Sequence, residues 1–196
     1  MWPFDKIKSR ISYEILRRFK PEVVGYPVAV KSEYNTDKRI SNVTHISNKQ
    51  NVTIGDNVFI GHFNYIDGFD KIVIGDGCQI TNYVSVLTHS SHNSIRLYGE
   101  SYNDHWGKNM KGLLNAPVHI GEYTFIGPHC VIMPGTTIGK GCIISAFSFV
   151  SGTFEDFSII RGIPAKVVGS VKESDKDLME EYPRLKNLYF NNKNQP

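Results

Sequence analysis

From Ile120 to Glu155 the chain repeats every six residues. The blocks read Ile120-Gly-Glu-Tyr-Thr-Phe, Ile126-Gly-Pro-His-Cys-Val, Ile132-Met-Pro-Gly-Thr-Thr, Ile138-Gly-Lys-Gly-Cys-Ile, Ile144-Ser-Ala-Phe-Ser-Phe and Val150-Ser-Gly-Thr-Phe-Glu. Each opens on Ile or Val, and the second place is small in all but one. So short and strict a period predicts a solenoid, in which each block is one short strand plus a turn and the aliphatic residue enters a shared core. Gly at the second place is expected to lend the corner its backbone freedom.

A second array precedes this one. It runs through Ile54-Gly-Asp-Asn-Val-Phe, Ile60-Gly-His-Phe-Asn-Tyr and Ile66, slips by two residues at Ile72–Ile74, and resumes through Ile80 to Val86. Three blocks make one triangular coil, so a slip at one corner can be absorbed without breaking the stack. Ile40 and Ile46 are also six apart, which lets the first coil begin near Arg39. Between the arrays, residues 88–117 lose the period and are rich in His, Asn, Tyr and Trp. A loop of this length in a compact domain usually carries function.

The ends differ from the middle. Residues 5–20 place Ile7, Ile11, Ile15, Leu16 and Phe19 at helical spacing with Lys and Arg on the other sides, and Pro21 stops the pattern. This predicts a helix that packs on the solenoid; its basic amphipathic character leaves contact with an anionic membrane face open. Residues 171–191 are charged and predict one or two short helices broken at Pro183. The expected division is residues 1–45 as N-terminal helix and cap, 46–170 as the solenoid with its loop at 88–117, and 171–196 as a helical tail.

Composition narrows the partners. A net charge of +3 with no dense basic patch argues against nucleic acid. No run of about 18 apolar residues offers a membrane span, and the first residues lack the apolar core of a secretory signal. A cytoplasmic protein is expected, with the inner membrane face as an option. Cys78, Cys130 and Cys142 each hold the fifth place of a block, which also points inward. They read as buried small hydrophobes, and without Cys-x-x-Cys spacing no metal site is expected.

The two arrays, the His-bearing loop and the closing Ile160-Arg-Gly-Ile-Pro-Ala-Lys-Val-Val resemble the hexapeptide-repeat acyltransferases, nearest to the galactoside and maltose O-acetyltransferase group. The resemblance covers roughly residues 46–169. It implies an all-β fold, a left-handed parallel β-helix. It implies a homotrimer with active sites between subunits, acetyl-CoA as donor and a carbohydrate hydroxyl as acceptor. A surface polysaccharide, its precursor or a sialic-acid-type sugar is the expected acceptor class. N-acetylation of an amino sugar or antibiotic is an alternative, and a non-catalytic binding solenoid is another.

Acetyl transfer to a hydroxyl needs a base, donors for the oxyanion and two substrates held together. His89 and His92 stand three and six residues past the last aliphatic anchor, Val86, and the family's spacing favours His92 as the base. Family position makes Asn64 and Asp67 hydroxyl ligands and puts His62 where relatives carry Asn. Arg96, Tyr98 and Trp106 of the loop, beside Tyr102 and His105, suit a sugar with anionic groups. For the donor, Phe125 replaces a Trp at the acetyl end. Ala146 and Ser151 fall along the pantetheine arm, and Lys166 with Arg161 are the phosphate candidates.

Overall fold

A computed structural model of the chain describes residues 23–24, 38–107 and 109–185. The N-terminal helix expected over residues 5–20 lies outside these residues, as does the tail beyond 185. The described chain is a parallel β-helix of short strands arranged as three sheets. The chain visits the sheets in a fixed order, so each turn contributes one strand to each face.

The first face stacks Arg39–Ser41, Phe59–Ile60, Gln79–Ile80, Phe125–Ile126, Ile143–Ile144 and Ser158–Gly162 in parallel. The second stacks His45–Ser47, Tyr65–Asp67, Ser85–Val86, Val131–Ile132 and Phe149–Val150. The third stacks Val52–Ile54, Ile72–Ile74, Val118–Ile120, Thr137–Ile138 and Thr153–Phe154. The stack thus begins at Arg39–Ser41. It closes with an antiparallel hairpin of Ser158–Gly162 against Ala165–Ser170. Short helices Val171–Ser174 and Lys176–Glu181 follow.

Register explains the six-residue period. Ile40, Ile60, Ile80, Ile126, Ile144 and Ile160 form one aligned ladder on the first face. Ile46, Ile66, Val86, Ile132 and Val150 form the second, and Ile54, Ile74, Ile120, Ile138 and Phe154 the third. Most of these side chains are wholly buried, each contributing about 1.5–3 kcal/mol of apolar transfer. The fifth place is inward as expected: Val58, Cys78, Val84, Cys130 and Cys142 are all buried.

The reason for Gly at the second place differs from the expected one. None of Gly55, Gly75, Gly121 or Gly139 has a positive φ. A Cβ on Gly121 would lie 2.5 Å from the Lys140 nitrogen and the Gly139 carbon of the next coil; one on Gly75 would lie 2.6 Å from the Glu122 nitrogen. The requirement is close approach between coils. The left-handed conformation falls instead at the fourth place, on Asn57, Phe63, Tyr83, Tyr123, His129, Phe147 and Phe157. At one corner these side chains stack along the axis. Phe63 and Tyr83 lie 5.2 Å apart, and Tyr83–His129 and His129–Phe147 each 4.8 Å apart, with planes within 16°. That spacing matches the distance between hydrogen-bonded strands, and the stacking offsets part of the backbone cost of about 1–2 kcal/mol per residue.

All irregularity is confined to the corner between the second and third faces. There the inward ladder steps from Ile46 to Ile54, Ile66 to Ile74, Val86 to Ile120, Ile132 to Ile138 and Val150 to Phe154. The long step is the loop, which is an ordered excursion. His89–Ser90 pairs antiparallel with Leu114–Asn115 at its neck. A helix over Ser94–Tyr98 and a 3-10 turn over Gly99–His105 fill its body.

Candidate active site

The site follows from coil stacking. Tyr65–Ile66 pairs with Ser85–Val86 one coil on, so residues just past Val86 arrive above the end of the lower strand. That end is Asp67, a carboxylate only 2 % exposed. One of its oxygens, Oδ2, accepts from the Thr88 N–H at 3.2 Å and the Thr88 hydroxyl at 3.3 Å. It also lies 2.5 Å from Nδ1 of His89. The other, Oδ1, accepts from the Phe69 N–H at 3.1 Å and the Ser47 hydroxyl at 3.3 Å. Burial by itself would push the carboxyl up. The hydrogen bonds from His89 and the Thr88 N–H, the attraction of the imidazole ring whenever it is protonated, and the Phe69 N–H together hold it below the usual Asp value.

An ionised carboxylate against Nδ1 fixes the imidazole as the Nδ1–H tautomer, leaving the Nε2 lone pair to accept a proton. Aromatic rings hold the imidazole: Phe69 tilts against it at 4.4 Å and Trp106 meets it edge-on at 5.9 Å. Trp106 packs in turn on Phe69 at 5.8 Å and Tyr102 at 5.7 Å, and remains 47 % exposed. The excursion thus returns a large apolar ring to the imidazole at its neck.

The other expected residues separate into three groups. His92 is exposed and its Nδ1 lies 2.8 Å from the Ser90 hydroxyl. Arg96 donates to the His92 carbonyl and to Asn93 Oδ1. The hydroxyl of Tyr98 accepts from the Lys111 N–H at 3.2 Å, and its ring lies 4.8 Å from His105. These residues build the excursion itself.

Asn64 and Asp67, expected to hold the acceptor, have different work. Both donors of the Asn64 amide go to carbonyls, of Gly61 at 3.0 Å and Thr81 at 2.8 Å, and its oxygen accepts from the Val84 N–H at 2.7 Å. It is buried, with both donors and its oxygen engaged in tying two successive coils together at one corner, so it faces the fold and not a ligand. Asp67 is likewise occupied in orienting His89. His62 sits at the opposite corner, between the first and second faces, with its Nδ1 2.8 Å from the Ser41 hydroxyl.

The donor candidates lie away from His89: all but Ser151 are off its corner of the prism, and Ser151, at that corner, belongs to the last full coil. Phe125 stands outward on the first face, 39 % exposed. Ala146 and Ser151 are exposed at successive corners of the last full coil. Arg161 and Lys166 are partners across the closing hairpin, both exposed. Sequence reasoning missed the neck of the excursion, where Asn115 stands opposite His89. Neither periodicity nor motif marks that residue, because the pairing joins positions 26 residues apart.

Comparison with known proteins agrees with this architecture. Residues 117–152 match the family described as bacterial transferase hexapeptide (six repeats). The galactoside O-acetyltransferase of Escherichia coli (strain K12) is 32 % identical over 136 residues, 67 % of this chain and 60 % of that protein. WbbJ of the same strain, named as an O-acetyl transferase of lipopolysaccharide biosynthesis, is 26 % identical over 125 residues, 64 % of this chain and 63 % of that protein. A galactoside acetyltransferase solved in complex with coenzyme A superposes with a TM-score of 0.57 at 27 % identity, covering 68 % of this chain and 62 % of that one. The chain spans between 35 % and 63 % of the length of the first curated relatives it matches. In sequence and in fold it resembles the hexapeptide-repeat acyltransferases of the sugar O-acetyltransferase group.

Proposed function

We propose that the protein transfers an acetyl group from acetyl-CoA to a hydroxyl of a carbohydrate, with His89 as general base. The observation that carries this reading is the buried Asp67 carboxylate on His89 Nδ1. The acceptor oxygen attacks the thioester carbonyl as Nε2 takes its proton, and the same proton passes to the departing thiolate. Asp67 keeps the tautomer correct and stabilises the imidazolium formed between these steps. The walls of Phe69 and Trp106 give the acceptor an apolar face, as sugar rings require.

This reading moves the base from His92 to His89, because His89 Nδ1 meets a buried carboxylate, which can only accept and so fixes the tautomer, whereas His92 Nδ1 meets the Ser90 hydroxyl, which can donate or accept. The donor is assigned to Phe125, Ala146, Ser151, Arg161 and Lys166. Support comes from the closing hairpin, where two cations face each other across the strands. Like charges directly opposite are unfavourable unless an anion joins them, and coenzyme A brings phosphates. Phe125 and His89 occupy different sides of one chain, so the site is completed by a neighbouring copy, in the homotrimer we expect. Use of acetyl-CoA places the reaction in the cytoplasm. The basic stretch 5–20 adds a peripheral membrane contact to this reading, which liposome cosedimentation with and without it tests.

Free thiol released from acetyl-CoA in the presence of a glycoside panel is the direct assay. His89→Ala is expected to lose about 10²-fold or more in kcat, the scale of a general base, and His92→Ala to stay within about threefold. The opposite ranking would return the role to His92. Wild-type protein that neither binds acetyl-CoA nor releases thiol would favour a binding solenoid.

A further inference from the structure

The neck of the excursion holds a polar group that the proposed chemistry does not use. Asn115 is the Cα partner of His89 in the antiparallel pair His89–Ser90 and Leu114–Asn115. Side chains of directly opposed residues project from the same face of a ribbon, with Cβ atoms about 4.5–5.5 Å apart. The Asn115 carboxamide therefore projects from the same face of the neck as the imidazole. Its oxygen, Oδ1, is buried and has no hydrogen-bond partner among the described residues. The contrast with Asn64 is direct: that amide, also buried, has both donors and its oxygen paired. A buried amide oxygen left unpaired costs about 1–3 kcal/mol. A fold that satisfies Asn64 so fully retains such a group beside the base only if another molecule supplies the donor.

The neighbouring groups restrict what that donor is. Nε2 of His89 is itself an acceptor in the tautomer set by Asp67, so it cannot pair with a second acceptor in the resting state. The attacking hydroxyl has one proton, which goes to Nε2. The donor to Asn115 is thus a second polar hydrogen on the same molecule, carried by the carbon next to the one that bears the attacking oxygen.

We propose that Asn115 is a specificity-determining residue: its carboxamide oxygen accepts a hydrogen bond from the hydroxyl vicinal to the one His89 deprotonates, so the acceptor is a vicinal diol of a sugar ring. The inference rests on His89 as base and a carbohydrate as acceptor. Asn115 selects the substrate; the bond changes remain those already given for acetyl transfer.

Two measurements test it. The first uses acetyl-CoA with methyl glycopyranosides and their monodeoxy analogues, read as thiol release by wild type and by Asn115→Leu. On the preferred glycoside, Asn115→Leu is expected to lower kcat/KM by about 10–100-fold. On the analogue lacking the neighbouring hydroxyl, already poor for wild type, it changes kcat/KM less than about threefold. Equal losses on glycoside and analogue would overturn the assignment and leave Asn115 a structural residue. The second is the melting temperature without ligand, expected to rise by a few degrees in Asn115→Leu as the unpaired oxygen is removed. A fall would mean that the oxygen is satisfied within the protein, and would also overturn it. Wild type inactive on every glycoside overturns the carbohydrate reading, and the diol assignment with it. Activity in wild type with indifference to Asn115 overturns only the latter.

Discussion

Replacing Asp67 by Asn changes one atom and tests the arrangement around His89. The carboxylate faces two immovable donors, the Thr88 N–H at Oδ2 and the Phe69 N–H at Oδ1. An amide has one oxygen and so serves only one of them. If its NH2 turns toward Thr88 it also meets Nδ1 of His89, which must then present a lone pair and carry its proton on Nε2, where it cannot act as a base. If its NH2 turns toward Phe69 the tautomer survives, but two donors oppose each other and the imidazolium loses its counter-charge. Either arrangement strands a buried group at about 1–3 kcal/mol. The first is expected to lower kcat by about 10²–10⁴-fold, the range for losing a correctly oriented His base. Thiol release from acetyl-CoA gives kcat, and nitrogen-15 spectra of the imidazole report the tautomer. A folded Asp67→Asn protein with kcat within about threefold of wild type would refute the dyad as the catalytic arrangement.

Three further outcomes are expected. The folded-state pKa of Asp67 lies below its ordinary value of 3.8, so its stabilisation is complete above that value and is lost as pH falls through the lower one. Urea unfolding should therefore show the stability gap between wild type and Asp67→Asn narrowing as pH falls through 3.8 and on through the lower folded-state value; a constant gap contradicts this. Gly121→Ala places a Cβ 2.5 Å from backbone of the next coil; overpacking of this kind costs about 1–3 kcal/mol, visible as a lower melting temperature, and an unchanged value would show that the coils can separate freely. Burial raises the thiol pKa of Cys78 to about 11 and also lifts those of Cys130 and Cys142, so a thiol reagent at mildly alkaline pH should label none of the three until denaturant is added.

The repeat was legible because each rung of the ladders is a separate sequence position. Ile126 is aliphatic, Cys130 small and Gly121 without a Cβ, each at its own place in the block. The role of that glycine was not legible, because close approach to Lys140 is set by stacking of coils and leaves no local mark. The fourth place was hidden for the opposite reason. Phe63, Tyr83, His129 and Phe147 are poor candidates for left-handed backbone one at a time, and only their alignment 4.8–5.2 Å apart rationalises them.

At the site, the break in the period pointed to His89 and His92 without separating them. Spacing from Val86 favours the later one, whereas the coil stack brings the earlier one onto Asp67, 22 residues before it. Asn64 shows the same limit from the other side. As a residue type it suits a sugar hydroxyl, but stacking places three backbone groups around its amide and uses it up.

What the sequence determines by itself is therefore the solenoid. Its core is built from repeated short-range requirements, and each block states its own. What the tertiary structure alone decides is which polar groups are free to do chemistry. That depends on which atoms of different coils meet: His89 with Asp67 and Trp106, His89 with Asn115 across the neck, and Arg161 with Lys166 across the closing hairpin. A hydrogen bond spent inside the fold and one left for a substrate use the same residue types, and only the partners in space tell them apart.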